Sequence, residues 1–241
     1  MQIFHSGATL SQRLARSFTQ TEEDYLKAIF LTQERRQTVS TTLLSKQMGM
    51  TPAAVTKTLK NLAERNLISY VPYYGAHLTA TGEKVALEVI RHHRLIELYL
   101  HEALGYSWDQ VDAEAERLEH HISEEFEEKI EIALQFPLHD PHGHPIPTKD
   151  GTMPPYPGFP LEEARVGEAV TVSRVDDENP ATLRSLSLFG IKLETKLQVK
   201  GQNEKTGAFT LSVNADKSHE IELDMGTVKA IFVERDSPHQ S

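Results

Sequence analysis

The sequence predicts a mainly α protein with a small β domain, and three observations carry that prediction. Three short helical segments, each opened by a capping residue or box, precede a β-prone ribbon. Two long stretches then repeat apolar residues at helical spacing. Past a proline-rich segment, apolar residues alternate over short runs, which is the period of strands.

Residues 1–18 show little pattern and read as a flexible arm. Thr19 to Glu22 fits a capping box, and Tyr25, Leu26, Ile29 and Phe30 follow at helical spacing. Ser40 can cap a second helix carrying Leu43, Leu44 and Met48, which Gly49 breaks. Thr51-Pro52 opens the third, a cap residue followed by proline at the first helical position, with Val55, Leu59 and Leu62 as its apolar side. Leu67 to Val71 is β-prone, Pro72-Tyr73-Tyr74-Gly75 is a turn, and Ala76 to Thr79 returns. That ribbon is the wing of a winged helix-turn-helix, expected over residues 19–84.

A helical domain is expected over residues 85–136. One pattern runs from Gly82 to Leu104, with Val85, Val89, Ile96 and Leu100 on its buried side, and Gly105 ends it. A second runs from Trp108 to Leu134 with Val111, Ala115, Leu118, Ile122 and Phe126 in one stripe. Two long amphipathic helices suit a dimerisation interface, although the same stripes can be buried intramolecularly. Residues 137–160 hold eight of the twelve prolines and read as a linker or an extended, packed connection. Residues 161–236 alternate in short segments around a helix ending at Gly190, which predicts a small β-barrel.

Composition limits the chemistry. No apolar run is long enough to span a bilayer, and Met-Gln-Ile-Phe-His-Ser-Gly-Ala lacks the order of a secretory signal, so a soluble cytoplasmic protein without membrane contact is expected. With no cysteine, thiolate zinc sites, iron–sulfur clusters and cysteine nucleophiles are excluded. The net charge of −10 is unevenly spread. Residues 1–94 carry 12 Lys and Arg against 7 Asp and Glu, and residues 95–241 carry 13 against 28. The front suits phosphate and the rear suits cations.

In a helix-turn-helix the start of the second helix enters the major groove. Here that surface offers Thr51, Ala53, Ala54, Thr56, Lys57 and Lys60. The lysines reach guanine edges or phosphate, Thr56 can donate to phosphate, and the alanines permit close approach. Arg65 and wing Tyr73 or Tyr74 are further candidates for backbone contact. The bland reading of this unit is a protein-interaction fold. If residues 112–120 are helical, Asp112, Glu116, Glu119 and His120 stand close together, and His93 and Glu97 are one turn apart. A divalent cation would turn that like-charge repulsion into attraction, and carboxylate with imidazole suits manganese, iron or zinc. The alternative is an ordinary solvated acidic helix, with Asp24 a first-turn acid favoured by the helix dipole. The linker histidines His139, His142 and His144 are expected to offer adventitious binding at most. No catalytic residues are identified, and no enzyme activity is expected.

Several segments in order resemble the diphtheria toxin repressor family of metal-dependent transcriptional regulators, and within it the manganese-responsive branch. They are Thr21-Glu22-Glu23-Asp24-Tyr25-Leu26, Thr51-Pro52-Ala53-Ala54-Val55-Thr56-Lys57 and Arg91-His92-His93-Arg94-Leu95-Ile96-Glu97. Glu114-Ala115-Glu116-Arg117-Leu118-Glu119-His120 and Asp140-Pro141-His142-Gly143-His144-Pro145-Ile146-Pro147 complete the set. The resemblance implies a C-terminal SH3-like (FeoA-like) domain and two metal sites. Asp24, Glu116, Glu119 and His120 match the primary site. His93 and Glu97 match the ancillary site, where Asp112 replaces a histidine of several relatives. A carboxylate from the SH3-like domain, Asp176, Asp177 or Glu178, would complete it, with Asp177 as the expected ligand. Iron-responsive relatives carry sulfur ligands where this chain has Asp24 and Glu116, which favours Mn2+ over Fe2+; Zn2+, Co2+ or Cd2+ would substitute in vitro. Relatives with a close ion pair carry glutamate where Lys27 stands, which favours separated sites here. The expected function is a Mn2+-activated homodimer that binds double-stranded operator DNA and represses metal-uptake genes. The competing readings are a metal-independent winged-helix regulator sensing a small organic ligand and, with little support, a metallohydrolase.

Overall fold

The computed structural model describes residues 18–35, 38–72, 74–176, 179–214 and 220–236. The proposed arm (apart from Phe18), Tyr73, Asp177 and Glu178 therefore lie outside the described residues. The chain divides into two compact units. One holds the residues up to His92 with Glu119–Phe126 and Pro147–Met153; the other holds His93–Leu118, Glu127–Ile146 and the chain from Pro154 onward.

In the first unit, α1 (Gln20–Glu34) starts as its sequence demands. Thr19 Oγ1 accepts from the Glu22 amide, and the Glu22 carboxylate accepts from the Thr19 amide at 2.9 Å. Ser40 caps α2 (Thr41–Gln47), and Thr51 caps α3 (Pro52–Glu64) with Pro52 at its first turn. Strands β1 (Ile68–Val71) and β2 (Gly75–Leu78) pair antiparallel, with Ile68 opposite Leu78, to form the wing. Tyr25, Leu26, Ile29, Leu44, Val55, Leu59, Leu62 and Ala76 close one core with Val85, Ala86 and Ile90. The last three come from α4 (Ala80–Leu104).

Gly82 of α4 sits where a side chain has no room. A Cβ there would stand 2.0 Å from the Leu67 carbonyl oxygen, a backbone atom that cannot rotate away. Gly82→Ala is therefore expected to destabilise the protein by about 3 kcal/mol, the upper range for overpacking, despite alanine's better helix propensity. Chemical denaturation checks this, and an unchanged midpoint would contradict the packing described.

In the second unit α4 ends at Gly105, whose φ of +73° suits the residue without a Cβ. Val89, Ile96 and Leu100 are buried as their spacing requires. The expected single helix over 108–134 is instead two, α5 (Val111–Leu118) and α6 (Glu124–Ala133). The apolar stripe hid the break. Ser123 accepts from the Phe126 amide at 3.2 Å, capping a new helix start, while Leu118 and Phe126 remain largely exposed. Glu119 and His120 consequently lie in a turn and not on a helical face.

The β domain is a six-stranded antiparallel sheet in the order β3, β8, β4, β5, β6, β7. Its strands are Phe159–Pro160, Ala169–Val175, Lys196–Gln202, Phe209–Val213, Glu220–Leu223 and Ile231–Arg235, numbered β3 to β8. Helices α7 (Pro180–Leu188) and α8 (Met225–Lys229) complete it. Val170, Val172, Leu183, Leu186, Phe209 and Leu211 form its core together with Trp108. The proline-rich segment is packed, as its second reading allowed. His139 bridges to Pro145, the His142 carbonyl accepts from the Val175 amide at 2.8 Å, and a Cβ on Gly143 would stand 2.2 Å from the Ser173 carbonyl oxygen. Only glycine, at φ +87°, lets this turn approach β4 so closely.

Candidate metal centre

The first unit brings Asp24, Glu119 and His120 together, with one ligand atom of each inside a 4.8 Å cluster. Asp24 comes from the second turn of α1, and Glu119 and His120 come from the turn after α5. His120 donates from Nε2 to Asp24 Oδ1 at 2.8 Å and from Nδ1 to Glu23 Oε2 at 2.6 Å. Glu119 Oε1 lies 3.4 Å from Nε2. Burial opposes the charged imidazolium, but hydrogen bonds to Asp24 and Glu23 and the charges of Glu119 and Asp24 outweigh it, lifting its pKa to about 10. Glu119 is buried, and both its oxygens accept from Lys27 Nζ, at 2.9 and 2.8 Å. Glu23 was not legible as part of the site. It holds the far nitrogen of His120, as outer carboxylates commonly do for metal-bound histidines.

The second unit holds the other expected ligands. His93 Nε2 stands 3.5 Å from both Glu97 Oε1 and Asp112 Oδ1. Glu116, which the resemblance assigns to the primary site, has Oε2 3.8 Å from His93 Nδ1. Asp112 and Glu116 are half exposed, whereas Glu97 is wholly buried. Neither Glu97 oxygen has a hydrogen-bond partner among the described residues, and burial, partly offset by His93, pushes its carboxyl up. His142 Nδ1 faces Glu97 Oε1 at 3.7 Å.

Two of the linker histidines, His142 and His144, are packed into the fold. Asp140, His142 and His144 are all buried and offer ligand atoms within 4.8 Å of one another. Asp140 Oδ1 accepts from the His142 and His144 amides at 2.8 and 2.9 Å, and Oδ2 lies 3.3 Å from His144 Nδ1. Burial opposes ionisation of Asp140, but His144, His142 and the Arg94 guanidinium outweigh it and hold the carboxyl well below the usual range. His142 Nε2 donates to the Trp108 carbonyl at 2.7 Å, which leaves Nδ1 as the nitrogen that faces Glu97. His139 is exposed, and Asp176 is half-buried and stands in none of these groups of described residues.

These residues fit a hard divalent cation. A buried carboxylate with only long contacts to imidazole is an unfavourable arrangement that a cation relieves. The donor set is oxygen and imidazole nitrogen throughout.

The reader surface is partly committed. Ala53, Lys57 and Lys60 are exposed on α3, and Ala54 is half-buried. Thr51 is engaged as the cap of α3, and Thr56 donates its hydroxyl to the Pro52 carbonyl at 2.8 Å. Arg65 is held by Glu22 at 2.5 Å and by the Phe18 ring. Tyr74 projects from the wing, 78% exposed.

Residues 17–76 match the iron dependent repressor N-terminal DNA binding domain, and residues 79–148 match the metal binding and dimerisation domain of iron dependent repressors. Residues 159–235 match the FeoA domain. The chain is 35% identical over 118 residues to an uncharacterised HTH-type transcriptional regulator of Methanocaldococcus jannaschii, covering 48% of this chain and 94% of that one. It is 26% identical over 193 residues to the diphtheria toxin repressor of Corynebacterium jeikeium, covering 77% and 80% respectively. The solved structure of a manganese-dependent transcriptional repressor in complex with manganese superposes with a TM-score of 0.81 at 35% identity, over 89% of this chain and 100% of that one. The chain belongs to the diphtheria toxin repressor family of metal-dependent transcriptional regulators, in its manganese-responsive branch.

Proposed function

We propose that this chain is a Mn2+-activated homodimeric repressor that binds operator DNA and controls metal-uptake genes. The observation that carries the reading is the cluster of Asp24, Glu119 and His120, because it joins the first helix of the DNA reader to the turn between α5 and α6. Asp24, Glu119 and His120 hold the ion, with Glu116 as a fourth ligand by resemblance. His93, Glu97 and Asp112, joined by His142, form the second site. A bound cation would supply the positive charge that His120 and Lys27 otherwise provide to Asp24 and Glu119. Asp24 is thereby fixed to Glu119 and His120, and the reader's position is restricted to the one that matches two operator half-sites. Moving such an equilibrium from 1:99 to 99:1 requires about 5.5 kcal/mol of differential binding, which a site with several carboxylates can supply. Manganese is preferred to iron because, by the resemblance, Asp24 and Glu116 stand where iron-responsive relatives carry sulfur ligands. Affinity alone is a poor guide, since zinc or copper binds such sites more tightly.

Capture of genomic DNA fragments by metal-stripped protein, with Mn2+ or with chelator, tests the reading. Sequence-selective capture only with Mn2+ is expected. Equal capture in both conditions would favour the alternative, a regulator of small-organic-ligand type. A cleft of about 1070 Å³ in the second unit, lined by Leu98, His101, Trp108, Pro157 and Lys192 among others, is the feature that would serve it. On the captured operator, Lys57→Ala is expected to weaken binding and to lower the slope of log affinity against log salt by about 1. An unchanged slope would remove Lys57 from the phosphate contacts.

A further inference from the structure

Lys27 lies three residues after Asp24 on α1 and so shares its face. Its ammonium is within 2.9 Å of one oxygen of Glu119 and 2.8 Å of the other, and only 13% of its side chain is exposed. Glu119 is the most deeply buried of the three grouped carboxylate and imidazole residues, with no exposed side-chain surface. A carboxylate in that position needs a countercharge to be tolerated at all. Lys27 supplies one from within the chain. Any divalent ion held by Asp24, Glu119 and His120 must share Glu119 with this ammonium or displace it, and in either case two like charges stand within a few ångströms.

We propose that Lys27 is an internal competitor for the metal: it neutralises Glu119 when no divalent ion is bound and lowers the affinity of the site, setting the metal level at which it fills. This inference rests on reading Asp24, Glu119 and His120 as metal ligands. It assigns Lys27 a role of its own, as the residue that tunes the threshold without being a ligand.

Lys27→Met removes the charge and keeps the length and apolar stem of the side chain. The expected result is at least a tenfold gain in Mn2+ affinity by calorimetric titration of the full chain, together with a lower melting temperature of the metal-stripped protein. Lys27→Arg keeps the charge and is expected to titrate within about threefold of the wild type. If Lys27→Met does not fold, Lys27→Gln carries the same test, since it can still donate one hydrogen bond to Glu119 without the charge. Electron paramagnetic resonance of the free aqueous Mn2+ signal counts bound ions independently of DNA binding. Unchanged or weaker binding in the uncharged variants would overturn the proposal, because a purely positioning role lowers affinity. An Asp24→Ala variant separates the two claims. If it titrates like the wild type, the ligand assignment fails and this inference fails with it. If it loses binding while Lys27→Met gains none, only the role of Lys27 is overturned.

Discussion

His120→Gln is expected to abolish manganese-dependent operator capture while leaving a folded protein. Glutamine retains groups able to bond Asp24 and Glu23, which in the native protein hold both ring nitrogens of His120. It cannot offer the basic nitrogen that a divalent ion requires, so Mn2+ affinity should fall by at least about 100-fold, beyond the 10–100-fold typical of losing an outer partner. Glu23→Gln should lie within that smaller range, because Glu23 acts through His120. Glu116→Ala should resemble His120→Gln if Glu116 is a ligand of the same ion as the resemblance implies. Titration calorimetry with the operator assay distinguishes these cases. A His120→Gln protein that still captures operator with Mn2+ would end the assignment of this cluster as the activating site, and a normal response in Glu116→Ala would restrict the site to the other three residues.

Manganese binding is also expected to depend steeply on pH. The imidazole of His120 titrates at about 10 in the metal-free protein, so at neutral pH it carries a proton that the ion must displace. Below that pKa, each unit rise in pH should therefore increase apparent Mn2+ affinity about tenfold, and close to one proton should be released per ion bound. The opposite sign applies to the metal-free fold. A histidine whose folded pKa exceeds its unfolded value contributes stability that is fully present below the unfolded pKa of 6.5 and is lost as pH rises through 10. Alkaline conditions thus favour the metal-loaded protein and weaken the stripped one. Calorimetry in buffers of different ionisation enthalpy counts the protons; a count of zero would mean that His120 is neutral before the ion arrives.

Much of the fold could be read locally. Thr19, Ser40 and Thr51 each sit one residue before the helix that they cap, and Gly105 ends α4, because these are decisions of a few adjacent residues. The break at Glu119 could not be read in the same way. Leu118, Ile122 and Phe126 continue a helical period across it, and Ser123 declares the new start only through its hydrogen bond. Of the proposed metal ligands, His93 and Glu97 were legible as an i, i+4 pair on one helix. The association of Asp24 with His120 joins residues far apart in sequence and was reached through family resemblance. Lys27 and Glu23 acquire meaning only from that long-range contact. Asp140, His142 and His144 were concealed by composition, since prolines around histidines look like a tether until Gly143 is seen pressed against Ser173.

Trp108 is the only tryptophan in the chain. Its indole donates to Ser187 at 2.8 Å, its carbonyl accepts from His142 Nε2 at 2.7 Å, and its ring lies 6.1 Å from that of His142 in a stacked arrangement. The protein therefore carries a built-in optical reporter beside Glu97 and the buried histidine turn. Ultraviolet emission from this one fluorophore needs no label and arises far in sequence from the recognition helix. Paramagnetic quenching by Mn2+ at the second site would dim it, so a titration followed by emission reports the filling of that site directly.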